Sequence, residues 1–328
     1  MTHILVTGGA GYIGSITVRL LRERGYQVTV IDSLERGFRA ALGDAPLIAG
    51  DLRDIALLDR VFSSQPIDAV MHFAAYKAVG ESVANPLRYF ENNLGGTLAL
   101  LAAMRRAGVR QFVFSSTAAV YGTPDYTPVD EAHPTRPESP YGESKLQVEH
   151  MLRWLGHSGD LKAASLRYYN VAGAARDGQM GEASAKSENL IPVVMRAILG
   201  SGPALKVYGT DYPTPDGTCI RDYVHVIDLA EAHIKALEFL NLDVGLEVFN
   251  LGSGKGVSVL EVLREAERVS GRSVPVEYAE RRAGDPVGVW ADTRKAASLL
   301  GWHAQHGLAE IVESSWQWHS THPAGYQQ

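Results

Sequence analysis

A single cysteine, Cys219, stands among 328 residues, so neither an intramolecular disulfide nor a cysteine-based zinc site can be built. It reads as a small buried hydrophobe. Long apolar runs are missing as well: no window approaches the ~20 apolar residues needed to span a bilayer. The first residues, Met1–Val6, carry no basic segment and no extended apolar stretch, so no secretory signal is expected. Basic charge is in short supply, with 31 Lys and Arg against 37 Asp and Glu and a net charge of −6. That argues against a nucleic-acid binder, whose affinity needs a basic surface, while leaving room for a local basic pocket on a phosphorylated metabolite. No internal repeat and no low-complexity linker interrupts the chain. A soluble, cytoplasmic protein without nucleic-acid or membrane partners is expected.

What is present is an average globular composition, 45% hydrophobic and 21% charged, with length for about two units of roughly 150 residues. In the first half, short β-branched runs (4–7, 27–32, 46–51, 69–74 and 112–116) alternate with helical periods (12–24, 54–63, 85–106 and 141–155). Strands that are continuously apolar rather than alternating imply a parallel sheet covered on both faces. The predicted fold class is therefore α/β, a doubly wound parallel sheet of Rossmann type. The second half is less regular. Segments 177–188 and 208–217 read as loops, helical pieces follow at 226–240, 258–269 and 308–318, and short strands are expected at 205–208, 247–250 and 275–278. We divide the chain into a dinucleotide-binding unit over 1–170 and a smaller C-terminal substrate-binding lobe over 171–328, partly interleaved with the sheet.

After the first strand comes Gly8-Gly9-Ala10-Gly11-Tyr12-Ile13-Gly14. A glycine trio alone would also suit a plain βα turn. Between a strand and a helix, however, its spacing allows a tight turn, close backbone approach to a pyrophosphate and a helix N-terminus facing the anion. Asp32 ends the second strand, where a carboxylate accepts from an adenosine ribose 2′-OH and repels a 2′-phosphate. The expected cofactor is NAD rather than NADP. Arg36, four residues on, is the one feature that softens this preference.

Tyr141 and Lys145 are spaced i, i+4, which puts them on one helix face. Ser139-Pro140 suits the start of that helix. An ammonium near a phenol favours the phenolate, and a phenol so tuned acts as a base near neutral pH. The spacing is common on ordinary helices. Here it follows a strand ending in Ser115-Ser116-Thr117, and the carboxyl end of a parallel strand is where open α/β sheets bind ligands. Thr117 would hydrogen-bond a substrate hydroxyl. His225 and His233 lack metal-like spacing and are read as structural; no metal is expected.

These motifs, with Phe73–Lys77, Glu91–Asn93, Phe114–Gly122, Leu166–Asn170, Tyr208–His225 and Arg281–Trp290, resemble the extended short-chain dehydrogenase/reductase family and, within it, the UDP-sugar 4-epimerases. The resemblance covers essentially the whole chain. It implies reversible inversion at C4 of UDP-glucose and UDP-galactose through a 4-keto sugar, tightly held NAD and a homodimer built on the 85–106 and 141–155 helices. It further implies that Gly8, Gly11, Tyr12, Ile13 and Gly14 surround the cofactor phosphates and that Asp51 and Leu52 flank the adenine. Phe73, Ala74, Lys77 and Asn92 would line the cofactor channel, with Tyr169 near the nicotinamide. Asn170, Asn189, Leu190, Arg221, Arg282 and Asp285 would hold the UDP part, together with Lys77, and Lys206 and Tyr208 would lie beside the uracil. Val289 matches a gate position at which a small side chain implies acceptance of the 2-acetamido sugars too.

Two departures are visible: Thr117 stands where many relatives have serine, and Ser33 where asparagine is common. A 4,6-dehydratase is disfavoured because related dehydratases place Asp-Glu after the catalytic threonine, whereas Ala118-Ala119 follow here. A decarboxylating, uronate- or pentose-acting relative would differ mainly in the sugar pocket. A non-catalytic NAD sensor would tend to lose the tyrosine or lysine.

Overall fold

The computed structural model describes residues 2–183, 187–242, 244–282 and 284–326. Parts of two predicted site segments, 184–186 and Ala283, lie outside the described residues. The first half builds β1 (His3–Thr7), α1 (Tyr12–Glu23), β2 (Gln27–Asp32), β3 (Leu47–Ala49), α2 (Ile55–Ser64) and β4 (Ala69–His72). Then come α3 (Val79–Ala84), α4 (Pro86–Tyr89), α5 (Gly96–Ala107), β5 (Gln111–Ser115), α6 (Pro140–His157) and β6 (Lys162–Tyr168). Seven strands form one sheet, ordered from the strand Leu246–Leu251 through β6, β5, β4, β1 and β2 to β3. Every pairing in it is parallel.

The reason lies in the apolar runs. Ile4, Leu5, Val6, Val30, Val70, Met71, Phe112 and Val113 are all buried, and they divide between two cores on opposite faces of the sheet. Each large side chain so buried contributes roughly 1.5–3 kcal/mol. One core takes in α1 and α8 (Val226–Phe239), counted after α7 (Leu190–Leu199); the other takes in α2, α5 and α6.

The second half of the chain also contributes to the sheet. Leu246–Leu251, from the second half, completes the sheet beside β6. A separate core joins α7 to the helices Val259–Ser270 and Leu308–Thr321 and the strand Leu205–Tyr208. Where one helix was predicted over 85–106, α4 and α5 are joined by a π-helical turn, Phe90–Gly95. Such turns recur at functional sites.

Candidate active site

The glycine loop closes tightly. The Gly8 carbonyl accepts the Gly11 amide at 3.1 Å, and Gly8 has φ +70°. A Cβ at Gly8 would lie 2.5 Å from the Ala74 amide nitrogen, and one at Gly14 only 2.3 Å from the Gly8 carbonyl oxygen. Gly11 is the N-cap of α1 and provides no side-chain cap, which leaves the cradle lined by backbone. Tyr12 points elsewhere, its hydroxyl donating to the Gly173 carbonyl at 2.6 Å. Ile13 packs toward the core.

Asp32 is buried and accepts from the Ala10 amide at 2.9 Å and the Leu34 amide at 2.8 Å. Burial pushes its carboxyl upward, opposed by those amides. Asp51 is held below the usual carboxylate range by the Arg53 guanidinium, and Leu52 is buried beside α2 and α5. Phe73 packs against His233 in a tilted pair with ring centroids 4.6 Å apart. Among the π-turn residues, Asn92 donates to Asn93, and Asn93 clamps Tyr76 by accepting its amide at 2.8 Å and donating to its carbonyl at 3.1 Å. Asn93 also donates to Ser144 on the helix of Tyr141.

Tyr141, Lys145 and Thr117 meet at the carboxyl end of β5. Ser139 caps α6 by accepting the Gly142 amide, and Pro140 opens the helix as expected. The phenol of Tyr141 is buried, and the nearby Thr117 hydroxyl eases its ionisation. Lys145 donates to the Ser115 carbonyl at 2.8 Å and lies 4.8 Å over the Phe114 ring. The expected lowering of the tyrosine is not what the chain alone produces. Burial raises Tyr141, relieved by Thr117, and brings Lys145 down to about 7, opposed by the charge of Glu149. Desolvation of both groups outweighs their neighbours' help.

Behind this group lies a buried network absent from the sequence reading. Glu149 accepts from Ser116 at 2.6 Å, Ser165 at 2.8 Å and the Arg167 guanidinium. Arg167 also donates to Tyr121 at 2.9 Å. Its signal was available: Glu149 is two helical turns beyond Tyr141, on the same face. Tyr168 was missed too. Its hydroxyl lies 2.7 Å from the Ser115 Oγ, beside Tyr141, whereas Tyr169 packs with Val120, Tyr121, Leu146, Ala118 and Val289. Successive strand residues face opposite sides, and Arg167, which faces α6, already decides that Tyr169 does the same. The Tyr169 hydroxyl is buried without a partner.

The remaining predicted residues gather on the second half. The short strands Ile220–Arg221 and Gly288–Val289 pair in parallel and set Val289 beside Arg221. Arg221 donates to the carbonyls of Ile220 and Pro286, both at 2.9 Å, and lies 3.4 Å from Asp285. Buried Asp222 pins the surrounding loops by accepting the amides of Ser253 at 2.7 Å and Ala291 at 3.0 Å. Arg282 stacks 3.9 Å over the Tyr208 ring, next to Lys206 on the same strand. Asn170 donates to the Asp222 carbonyl. Asn189 sits at the N-cap of α7, just before Leu190, yet its amide donates to Glu182 rather than capping the helix. Buried Glu182 also takes Lys77 at 3.2 Å and Ser187 at 2.8 Å; nothing in its sequence context marks it.

Residues 4–252 match the NAD dependent epimerase/dehydratase family. The chain belongs to that family. It is 48% identical to a UDP-glucose 4-epimerase of Halalkalibacterium halodurans, over 98% of this chain and 97% of the relative. A UDP-glucose 4-epimerase of Stenotrophomonas maltophila, solved with NAD and formylated UDP-arabinopyranose, superposes with a TM-score of 0.95 at 42% identity. That likeness covers 98% of this chain and 99% of the other. The Bifidobacterium longum UDP-glucose 4-epimerase in complex with NAD+ and UDP gives 0.93 at 41% identity, over 99% and 100%. Family membership accounts for the sheet order, the glycine cradle and the position of Tyr141 in one frame. Among the described residues no helix is long and apolar enough to cross a membrane.

Proposed function

We propose that the protein interconverts UDP-glucose and UDP-galactose by reversible inversion at C4, with NAD as resident cofactor. The observation that carries this reading is the Thr117–Tyr141–Lys145 group at the end of β5, in a chain whose full-length relatives are UDP-glucose 4-epimerases. The chain fits NAD: the loop at Gly8, Gly11 and Gly14 turns so tightly that a Cβ at Gly8 or Gly14 would strike neighbouring backbone, Gly11 opens α1 without a side-chain cap, and Asp32 stands at the end of β2. Asp51, Leu52, Phe73, Ala74, Lys77 and Asn92 would complete that site, with Tyr169 near the nicotinamide. When bound, NAD supplies reversible acceptance of a hydride from C4 and, oxidised, a positive charge that favours the Tyr141 phenolate.

The chain does the rest. Tyr141 takes the C4 hydroxyl proton on its phenolic oxygen and later returns it, with Thr117 holding that hydroxyl in line. Lys145, tied to the Ser115 carbonyl, keeps its ammonium on the same helix face. Arg221 and Arg282 present guanidinium forks to the diphosphate, Tyr208 offers a ring to the uracil, and Asn170, Asn189, Leu190, Lys206 and Asp285 complete the nucleotide side. The sugar would turn in the space beside Tyr169 and Val289. A pocket gated by a valine also suits the 2-acetamido sugars.

The assembly is a homodimer joined through α3–α6. Val79, Val83, Leu87, Leu98 and Trp154 on these helices are 49–74% exposed, apolar side chains that a partner copy would cover. The setting is cytoplasmic, in keeping with a single cysteine that can form no intramolecular disulfide. The deciding experiment measures NAD released on denaturing the purified protein, then follows UDP-galactose conversion to UDP-glucose. NAD-loaded protein that turns over neither sugar would sink the reading.

A further inference from the structure

The loop after Asp32 doubles back onto it. A Cβ at Gly37 would lie 3.0 Å from Asp32 Oδ1 and 2.9 Å from the Ala10 Cβ, so Arg36 directly precedes a residue that touches the ribose-binding carboxylate. An arginine placed there is what a 2′-phosphate looks for. This one is taken. Its guanidinium donates to both oxygens of Glu81, at 2.8 and 2.7 Å, and lies 4.5 Å over the Tyr76 ring.

Glu81 and Tyr76 are themselves fixed. Arg88 lies 4.7 Å from the same ring and donates to Glu81 at 2.9 Å and Glu35 at 2.6 Å. The Tyr76 hydroxyl donates to Glu35 at 2.6 Å, and the Tyr89 hydroxyl to Glu81 at 3.0 Å. Two carboxylates and two guanidiniums therefore balance around one phenol ring that Asn93 holds by its backbone. Tyr76 and Tyr89 pack against Tyr141, which ties this cluster to the rigid end of the site. Arg36 has no spare charge to offer a ligand while Glu81 is in place.

We propose that Glu81, backed by Tyr76, is a specificity-determining residue that withholds Arg36 from the ribose 2′-position. Exclusion of a 2′-phosphorylated dinucleotide then has two layers: the Asp32 carboxylate repels it, and the capture of Arg36 removes the charge that would compensate it. This rests on the reading that NAD is the cofactor.

The test titrates cofactor-free protein with NAD+ and NADP+ by calorimetry, with the extracted cofactor identified after expression. Asp32→Ser alone should gain little NADP+ affinity. Asp32→Ser/Glu81→Ala should bind NADP+ about tenfold tighter than Asp32→Ser, the scale of one hydrogen bond to a charged group. Adding Arg36→Ala should cancel that gain. Glu81→Gln in the Asp32→Ser background keeps the side-chain shape and should move affinity in the same direction by a smaller factor, which covers poor folding of the alanine variant. No gain on loss of Glu81, or a gain that survives loss of Arg36, overturns the proposal. A parent that fails to bind NAD+ would instead overturn the cofactor reading itself, so the two failures are distinct.

Discussion

Around Tyr141 the polar groups already stand where acid–base chemistry needs them, whereas around Arg221, Arg282 and Lys77 the charged groups are engaged with one another. Lys145 and Thr117 are fixed by a strand end and a helix whose positions the sheet dictates. Arg221 holds Asp285 and two carbonyls, Arg282 covers Tyr208, and Lys77 and Asn189 both lean on Glu182. The first region costs little to use, because its geometry is set before substrate arrives. On the proposed reading the second would exchange partners when a nucleotide enters. Lys77 and Arg282 lie at the surface, where such contacts are individually weak, which is the condition for exchanging them readily.

The sharpest way to break this comparison is Tyr141→Phe. If the catalytic end is preset and separate from binding, kcat should fall by at least ~10²-fold, while UDP affinity by calorimetry stays within about twofold. Near-normal turnover would remove Tyr141 from the acid–base role. A parallel collapse of UDP binding would show that the two regions are not separable.

Next in size is the network behind the lysine. Glu149→Gln leaves Arg167 buried without its counter-charge, and breaking such a pair costs about 3–5 kcal/mol. At about 2.1 cal/mol/K per residue, this chain loses roughly 1.5 °C per kcal/mol, so melting should fall by about 4–7 °C. A change below about 2 °C would mean that the pair adds nothing to the rigidity claimed for this end.

Lys145 adds a pH dependence. Its folded pKa, about 7, lies below the value of an exposed lysine, so between pH 7 and roughly 10.4 the unfolded chain binds more protons than the folded one. Stability from this group therefore rises with pH across that window, and below pH 7 the full cost of burying the ammonium is paid. Lys145→Met should abolish turnover yet raise the melting temperature of cofactor-free protein at pH 6, with the gain shrinking by pH 9. A gain that grows with pH would contradict the burial account.

How much of this was legible in the sequence follows the same division. The sheet strands and the Tyr141–Lys145 face could be read because apolar runs and i, i+4 spacing are local signals, and β2 and Leu205–Tyr208 fall where predicted. Strand β6 carries a motif but is not among the predicted strands, and with it went the alternation that separates Tyr168 from Tyr169. The partners of Lys77, Asn189 and Arg36 were invisible, since Glu182 and Glu81 are brought to them from 105, 7 and 45 residues away by folding alone. Helix α7 owes its place to packing in the second-half core, and the two-residue strands around Arg221 and Val289 to long-range pairing rather than local pattern.

The smallest expected effect tests the binding region at a single side chain. Val289 is half-buried, paired in register with Arg221 and packed on the cluster that holds Tyr169, Ala118 and Leu146. Ala118 follows Thr117 directly, so this cluster adjoins the catalytic hydroxyl. A tyrosine at 289 would fill space that a 2-acetamido group needs while the keto sugar turns, and overpacking of this kind costs about 1–3 kcal/mol. Each 1.36 kcal/mol is tenfold in rate, so Val289→Tyr should lower kcat/KM for UDP-GlcNAc and UDP-GalNAc by roughly tenfold or more. The UDP-glucose and UDP-galactose pair should change by less than about threefold, because the hydroxyl at C2 needs no such room. Comparing the two substrate pairs in parent and variant cancels any general loss of stability. The gate assignment fails if the parent shows no acetylated-sugar turnover, or if the tyrosine lowers both pairs alike.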